Sequence, residues 1–230
     1  MPADENSRKI FDREIAPLID GKTSDELIDV FSRTSKDFFD ELLTKNNVKE
    51  RQFAAMVGFK DEFFVRRLAE CLISENHLAD NFYCKKVTSS RTAGIKGRIT
   101  SFISRKELTF GGDCVIFNKT TKAPVLIIEC KEYIDMTRLK ELIGESRILK
   151  ARIRHSRRVY PNLKFWVFAE VLELTADWQE LLEKSNLKYK IDKIFIARNG
   201  KRTDTDATPD KTKLLYFKQE LEALIMRSTK

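Results

Sequence analysis

Gly111-Gly112-Asp113-Cys114-Val115-Ile116-Phe117 and, after the link Asn118 to Pro124, Val125-Leu126-Ile127-Ile128-Glu129-Cys130-Lys131 form the stretch that decides how this chain folds. Each run is rich in β-branched or aromatic residues, and the link Asn-Lys-Thr-Thr-Lys-Ala-Pro is turn-like, so the pair predicts an antiparallel hairpin. Side chains alternate along a strand, which puts Glu129 and Lys131 on one face and Cys130 on the other. Asp113 opens the first strand beside the end of the second, at the hairpin's open end. Two carboxylates and one ammonium can therefore converge at the exit of two buried strands.

Phosphodiester hydrolysis is a chemistry that needs such a trio. Carboxylate oxygens suit a hard cation such as Mg²⁺, which takes one or two carboxylates together with water and substrate phosphate oxygens. A lysine beside them can orient the attacking water or stabilise charge in the transition state. The plainer reading is a solvated hairpin end carrying a surface ion pair. Against it stands the apolar run Val125 to Ile128, which leads a buried strand straight into Glu-Cys-Lys. A competing acidic-x-Lys triplet, Asp20-Gly21-Lys22, follows a helical segment with no acidic strand before it and is set aside.

At these positions the chain resembles the PD-(D/E)xK nuclease superfamily, in which an acidic residue begins one strand and (Asp/Glu)-x-Lys ends the next. Here they read Asp113 and Glu129-Cys130-Lys131, with Gly112 where the family often has proline. The resemblance implies that Asp113 and Glu129 ligate Mg²⁺, that the backbone carbonyl of Cys130 completes the shell, and that Lys131 is the catalytic lysine. It also implies an α/β (α+β) restriction-endonuclease-like core, a central mixed β-sheet flanked by helices. The expected order is α-β-β-β-α-β. Gln52 to Ser74, with Phe53, Val57, Phe64, Leu68 and Leu72 at roughly helical spacing, supplies the first helix. Glu62 on it resembles the family's accessory glutamate, although periodicity alone makes it an ordinary surface carboxylate. The second helix is expected from Asp135 to about Arg157, with Leu139, Leu142, Ile143, Ile148 and Leu149 buried. Lys164 to Leu172 and Lys193 to Ala197 read as further core strands, and Lys211 to Arg227 as a closing amphipathic helix.

Charge fits an anionic partner. The 230-residue chain holds 43 Lys and Arg against 35 Asp and Glu, a net charge of +8. Five of those cations crowd into Lys150, Arg152, Arg154, Arg157 and Arg158. They read equally as contacts to DNA phosphates or as cations that complement a helix C-terminus. From Cys84 to Lys106 the chain is basic and hydroxyl-rich, with Lys85, Lys86, Arg91, Lys96 and Arg98 and with Gly94 and Gly97 for flexibility. It reads equally as a loop that reaches into a groove or orders on binding DNA, with Lys96 and Arg98 as further candidate DNA contacts, and as a merely solvated loop. The 4 cysteines lack metal-ligand spacing and only 2 histidines are present, so a zinc site or a paired-histidine nuclease is not expected. Neither a phosphate-binding Gly-rich loop nor a membrane-length apolar run is found, and the amino terminus has no signal-like core. The expectation is a cytoplasmic protein that uses no nucleotide cofactor and contacts no membrane.

Residues 1–50 read as an N-terminal helical segment and 51–230 as the nuclease domain. The apolar stripe Leu27, Val30, Phe31, Phe38, Phe39, Leu42 and Leu43 suits packing on the core, a dimer interface or DNA equally. The resemblance implies a type II restriction endonuclease, a homodimer cutting both strands of double-stranded DNA at a short sequence. Two alternatives stand beside it. One is a repair or junction-resolving nuclease of the same core, and the other a DNA-binding protein without catalysis.

Overall fold

The computed structural model describes residues 16–34, 50–88, 95–100, 105–150, 162–178, 191–204 and 206–228, with positions 9, 12–14, 44, 160 and 180. For 50–59, 95–100 and 105–109 the description is of the backbone alone. Three helices come first, α1 (Ala16–Ile19), α2 (Ser24–Ser32) and α3 (Glu50–Glu75). Five strands follow, β1 (Phe82–Val87), β2 (Ile95–Thr100), β3 (Arg105–Phe110), β4 (Gly112–Asn118) and β5 (Pro124–Ile134). Then come α4 (Met136–Leu149), β6 (Lys164–Leu172), β7 (Lys193–Ile196) and α5 (Lys211–Arg227).

Helix starts follow local chemistry. Thr23 caps α2 in a reciprocal capping box with Glu26, Asp135 caps α4 by accepting from the Arg138 N–H, and Asp210 caps α5. Gly21, at φ 74°, makes the left-handed turn that separates α1 from α2. The main sheet runs β1-β4-β5-β6-β7. It is antiparallel across β1, β4 and β5 and parallel across β5, β6 and β7. The fold is thus a mixed five-stranded sheet flanked by helices.

Alternation along the strands divides the core into two layers. Even-numbered positions, including Cys114, Ile116, Ile128, Trp166 and Phe168, pack under Leu27, Ile28 and Phe31 of α2, Phe64, Leu68 and Leu72 of α3, and Leu214, Phe217 and Leu221 of α5. Odd-numbered Val115, Ile127, Phe165, Val167 and Ala169 pack under Leu139, Leu142 and Leu149 of α4. Each fully buried side chain of this size contributes about 1.5–3 kcal/mol. The sequence reading left open where the N-terminal stripe goes. Phe31 stacks on Phe64 with ring centroids 3.9 Å apart and also touches Phe168, so α2 is part of the first layer. Phe38, Phe39, Leu42 and Leu43 lie outside the described residues.

Two expectations need correction. The segment from Cys84 to Lys106 is not a loop throughout, because it enters β1 and supplies β2 and the start of β3, which pair in a separate antiparallel ribbon. Its β2 lies against α4. Ile95, Gly97 and Ile99 alternate with Lys96, Arg98 and Thr100 at the period of a strand, a pattern that glycines and cations obscured. The second helix also stops sooner than expected. It ends at Leu149, and the Lys150 amide closes it on the Ile148 and Ser146 carbonyls.

Candidate active site

The hairpin β4–β5 forms as the sequence predicts, with Cys114 opposite Ile128, Val115 opposite Ile127 and Ile116 opposite Leu126. This register carries Asp113 to the level of Glu129. The Asp113 carboxylate accepts a 2.9 Å hydrogen bond from the Cys130 backbone N–H, and Lys131 Nζ donates to Glu129 Oε2 at 3.0 Å. Asp113, Glu129 and Lys131 are therefore brought together. Cys130 meets this group through its backbone N–H, while its side chain is buried in the first core layer. Gly112 is required by close approach, because a Cβ here would lie 2.5 Å from Val115 Cγ2 and 3.1 Å from Ile127 Cγ2. That explains why neither proline nor any other side chain stands before Asp113.

Glu62 reaches the same place from α3. Lys86 of β1 is bonded to Glu62 Oε2 and stands 3.7 Å from Asp113 Oδ1. Burial, and then the negative charge of Asp113, push the Glu62 carboxyl up to about 7. The same two causes, opposed by Lys131, hold Glu129 at about 7. Burial alone would lower the Lys131 ammonium, but the charge and hydrogen bond of Glu129, with Asp113 and Glu145, carry it above the ordinary lysine value. Burial also raises Glu145 of α4, which feels both Lys131 and Asp113. Four carboxyls thus face two ammoniums, and the carboxyls resist ionising together. Glu145 was not singled out in the sequence, and Lys86 was named only as one cation of the basic segment from Cys84 to Lys106, not as a neighbour of this site. Lys86 lies well upstream on another strand with no local spacing to mark it, whereas Glu145 was detectable as an acidic residue three positions after buried Leu142.

The carboxylates of Asp113 and Glu129 are the side chains here that could hold a hard divalent cation. Its ligands would be the oxygens of Asp113 and Glu129, and its charge would relieve the crowding that raises Glu62 and Glu129. Among the described residues no three acidic, histidine or cysteine side chains are already gathered as metal ligands. Asp113 instead holds the Cys130 amide, and Glu129 holds Lys131.

The candidate DNA contacts are placed less fully. Lys96 and Arg98 lie on β2, where the backbone alone is described. Lys150 is ion-paired to Asp192. Arg152, Arg154, Arg157 and Arg158 lie outside the described residues. A second charged group lies on the other face of the sheet. There Lys60 bonds Glu170, Arg198 stands 3.8 Å from Glu170, and Lys60 stands 3.7 Å from Asp61. Neither Asp61 oxygen has a hydrogen-bond partner among the described residues, and burial pushes this carboxyl up to about 6. Asp61 falls at the spacing of Val57, Phe64 and Leu68, so a charge inside the apolar stripe of α3 was visible in the sequence.

No protein family's sequence profile matches this chain, and no curated protein does. Among solved structures, the type IIF restriction endonuclease Bse634I with cognate DNA aligns over 90% of this chain and 95% of its own at 11% identity and a TM-score of 0.49. The native BbvCI A2B2 tetramer aligns over 100% of this chain and 98% of its own at 13% identity and a TM-score of 0.37. Both scores lie below 0.5, and the fold rests on the sheet and helices described above.

Proposed function

We propose that this protein is a Mg²⁺-dependent endonuclease of the PD-(D/E)xK type, which hydrolyses double-stranded DNA at a specific sequence in the manner of a type II restriction enzyme. The observation that carries this reading is the convergence of Asp113, Glu129, Lys131 and Glu62 at the open end of one hairpin. Asp113 and Glu129 would hold the metal, which supplies an acidified water and neutralises charge on the phosphate. The chain's own residues do the rest. Lys131, kept protonated and aimed by Glu129, would donate to the attacking water or to a phosphoryl oxygen, where charge builds as the new P–O bond forms and the sugar oxygen departs. Glu62, lifted toward neutrality, is poised to take a proton from that water near pH 7. Cutting both strands calls for two such sites, hence a homodimer.

The test is digestion of a long, fully sequenced, unmethylated duplex with Mg²⁺, with EDTA, and with the Lys131→Ala protein. Discrete fragments that need Mg²⁺ are expected, with cutting by the variant reduced at least about 100-fold and DNA binding largely kept. Cutting confined to branched DNA would transfer the reading to a junction-resolving nuclease. Undiminished cutting by Lys131→Ala would remove the site.

A further inference from the structure

We infer that Tyr133, Arg138 and Arg202 form a second phosphate-binding site, a clamp on the nucleic-acid backbone one short step from Lys131; this deepens the nuclease reading and rests on it. The Arg138 guanidinium carbon lies 3.5 Å from the centre of the Tyr133 ring, and that of Arg202 lies 4.5 Å from the same centre. Strand alternation fixes the face of the catalytic pair, and α4 places Arg138 on it. Cys130 is in the first core layer, and the charge of Glu132 is felt by Lys60 and Asp61 on that same side. Glu129 and Lys131 therefore project from the opposite face, the one covered by Leu139 and Leu142 of α4, the helix that carries Arg138. Two residues of strand separate Lys131 from Tyr133 by roughly 7 Å, a distance over which a DNA strand advances by about two phosphates along its axis.

The chemistry of the trio suits an anion with several oxygens. A guanidinium that lies against an aromatic ring uses its face for the contact and keeps its edge, the planar N–H fork that grips phosphate with two hydrogen bonds. Bringing two guanidiniums to one ring costs repulsion, which an anion between their edges would relieve. The mounting is firm on both sides. Arg138 belongs to the first turn of α4 and donates to the Tyr133 carbonyl at 3.4 Å. Arg202, in the loop after β7, is held by Glu173, which accepts from the Arg202 backbone N–H at 3.0 Å and stands 3.5 Å from its Nε. With 49% of its side chain exposed, Arg202 remains open to a ligand. Arg138, Arg202 and Lys131 would then grip successive points of one strand, fixing where the scissile phosphate stands.

The experiment measures binding of the full chain to a fluorescein-labelled duplex in EDTA across a salt series, alongside its melting temperature. Arg138→Ala and Arg202→Ala should each weaken binding severalfold and lower the slope of log affinity against log salt by about one. Arg138→Lys and Arg202→Lys should keep the slope, because the charge stays, yet bind more weakly, because the fork is lost. Unchanged affinity and slope in alanine variants of unchanged melting temperature would overturn the clamp. If an alanine variant melts early, its lysine counterpart decides, and wild-type affinity there overturns the clamp too. Wild-type protein that binds the duplex but cuts nothing with Mg²⁺ would defeat the nuclease reading alone, leaving the clamp to be judged on the slopes. Failure of the wild type to bind duplex at low salt would defeat the clamp.

Discussion

At the scale of single residues, the site depends on one absence as much as on its charges. Gly112 leaves room for Val115 and Ile127 beneath Asp113, where a Cβ would come within 2.5 Å of a methyl group. Gly112→Ala is expected to cost about 1–3 kcal/mol by overpacking and to lower cutting further by displacing Asp113, with a melting curve and a digest as the two measurements. An alanine protein with full stability and full activity would show that the close approach is unimportant. Asp113, Glu129 and Lys131 were legible because strand period and a turn suffice to place them. Glu62 was legible as a candidate through family resemblance, while periodicity treated it as surface. Lys86 was visible only as one cation of a basic segment, since its approach to Asp113 and Glu62 depends on how β1 pairs with β4 and packs on α3, long-range facts that no local pattern carries.

At the scale of elements, apolar runs with clear turns were read correctly, and mixed runs were not. The hairpin β4–β5, the strands β6 and β7 and the helix α5 all announce themselves by sustained apolar periodicity. The ribbon β2–β3 carries a glycine and several cations, Lys96, Gly97 and Arg98 on β2 and Arg105 and Lys106 on β3, and pairing supplies the order that composition argues against. The N-terminal stripe showed that α2 must bury a face but not which face it would meet. Its destination is the aromatic cluster of Phe31, Phe64 and Phe168. Phe31→Ala is accordingly expected to destabilise the protein by about 3–5 kcal/mol, a melting temperature lower by roughly 10 °C for a chain of this size. A drop of under a degree would show that α2 is an appendage and not part of the core.

At the scale of the whole molecule, the acidic cluster sets how stability responds to pH and metal. Glu62 and Glu129 titrate near 7 in the folded protein and near 4.5 when unfolded. Between those values the folded state binds more protons than the unfolded one, so stability falls as pH rises from about 4.5 through 7 and levels off above. Metal-free protein should therefore melt at a higher temperature at pH 5 than at pH 7.5, and Glu62→Gln with Glu129→Gln should flatten that trend. Mg²⁺ at pH 7.5 should restore the lost stability in the wild type and do little for the double variant; equal effects on both would place the metal elsewhere. Of the two carboxyls that produce this response, Glu62 stands on α3 and Glu129 on β5, whose neighbours β4 and β6 are hydrogen-bonded along both its flanks. A central strand of that kind belongs to the last cooperative unit to open. Fraying of the ribbon, the loops or the edge strand β7 leaves Glu129 and Lys131 in place, so that on the proposed reading cutting is lost only with global unfolding and residual cutting gauges the folded fraction directly.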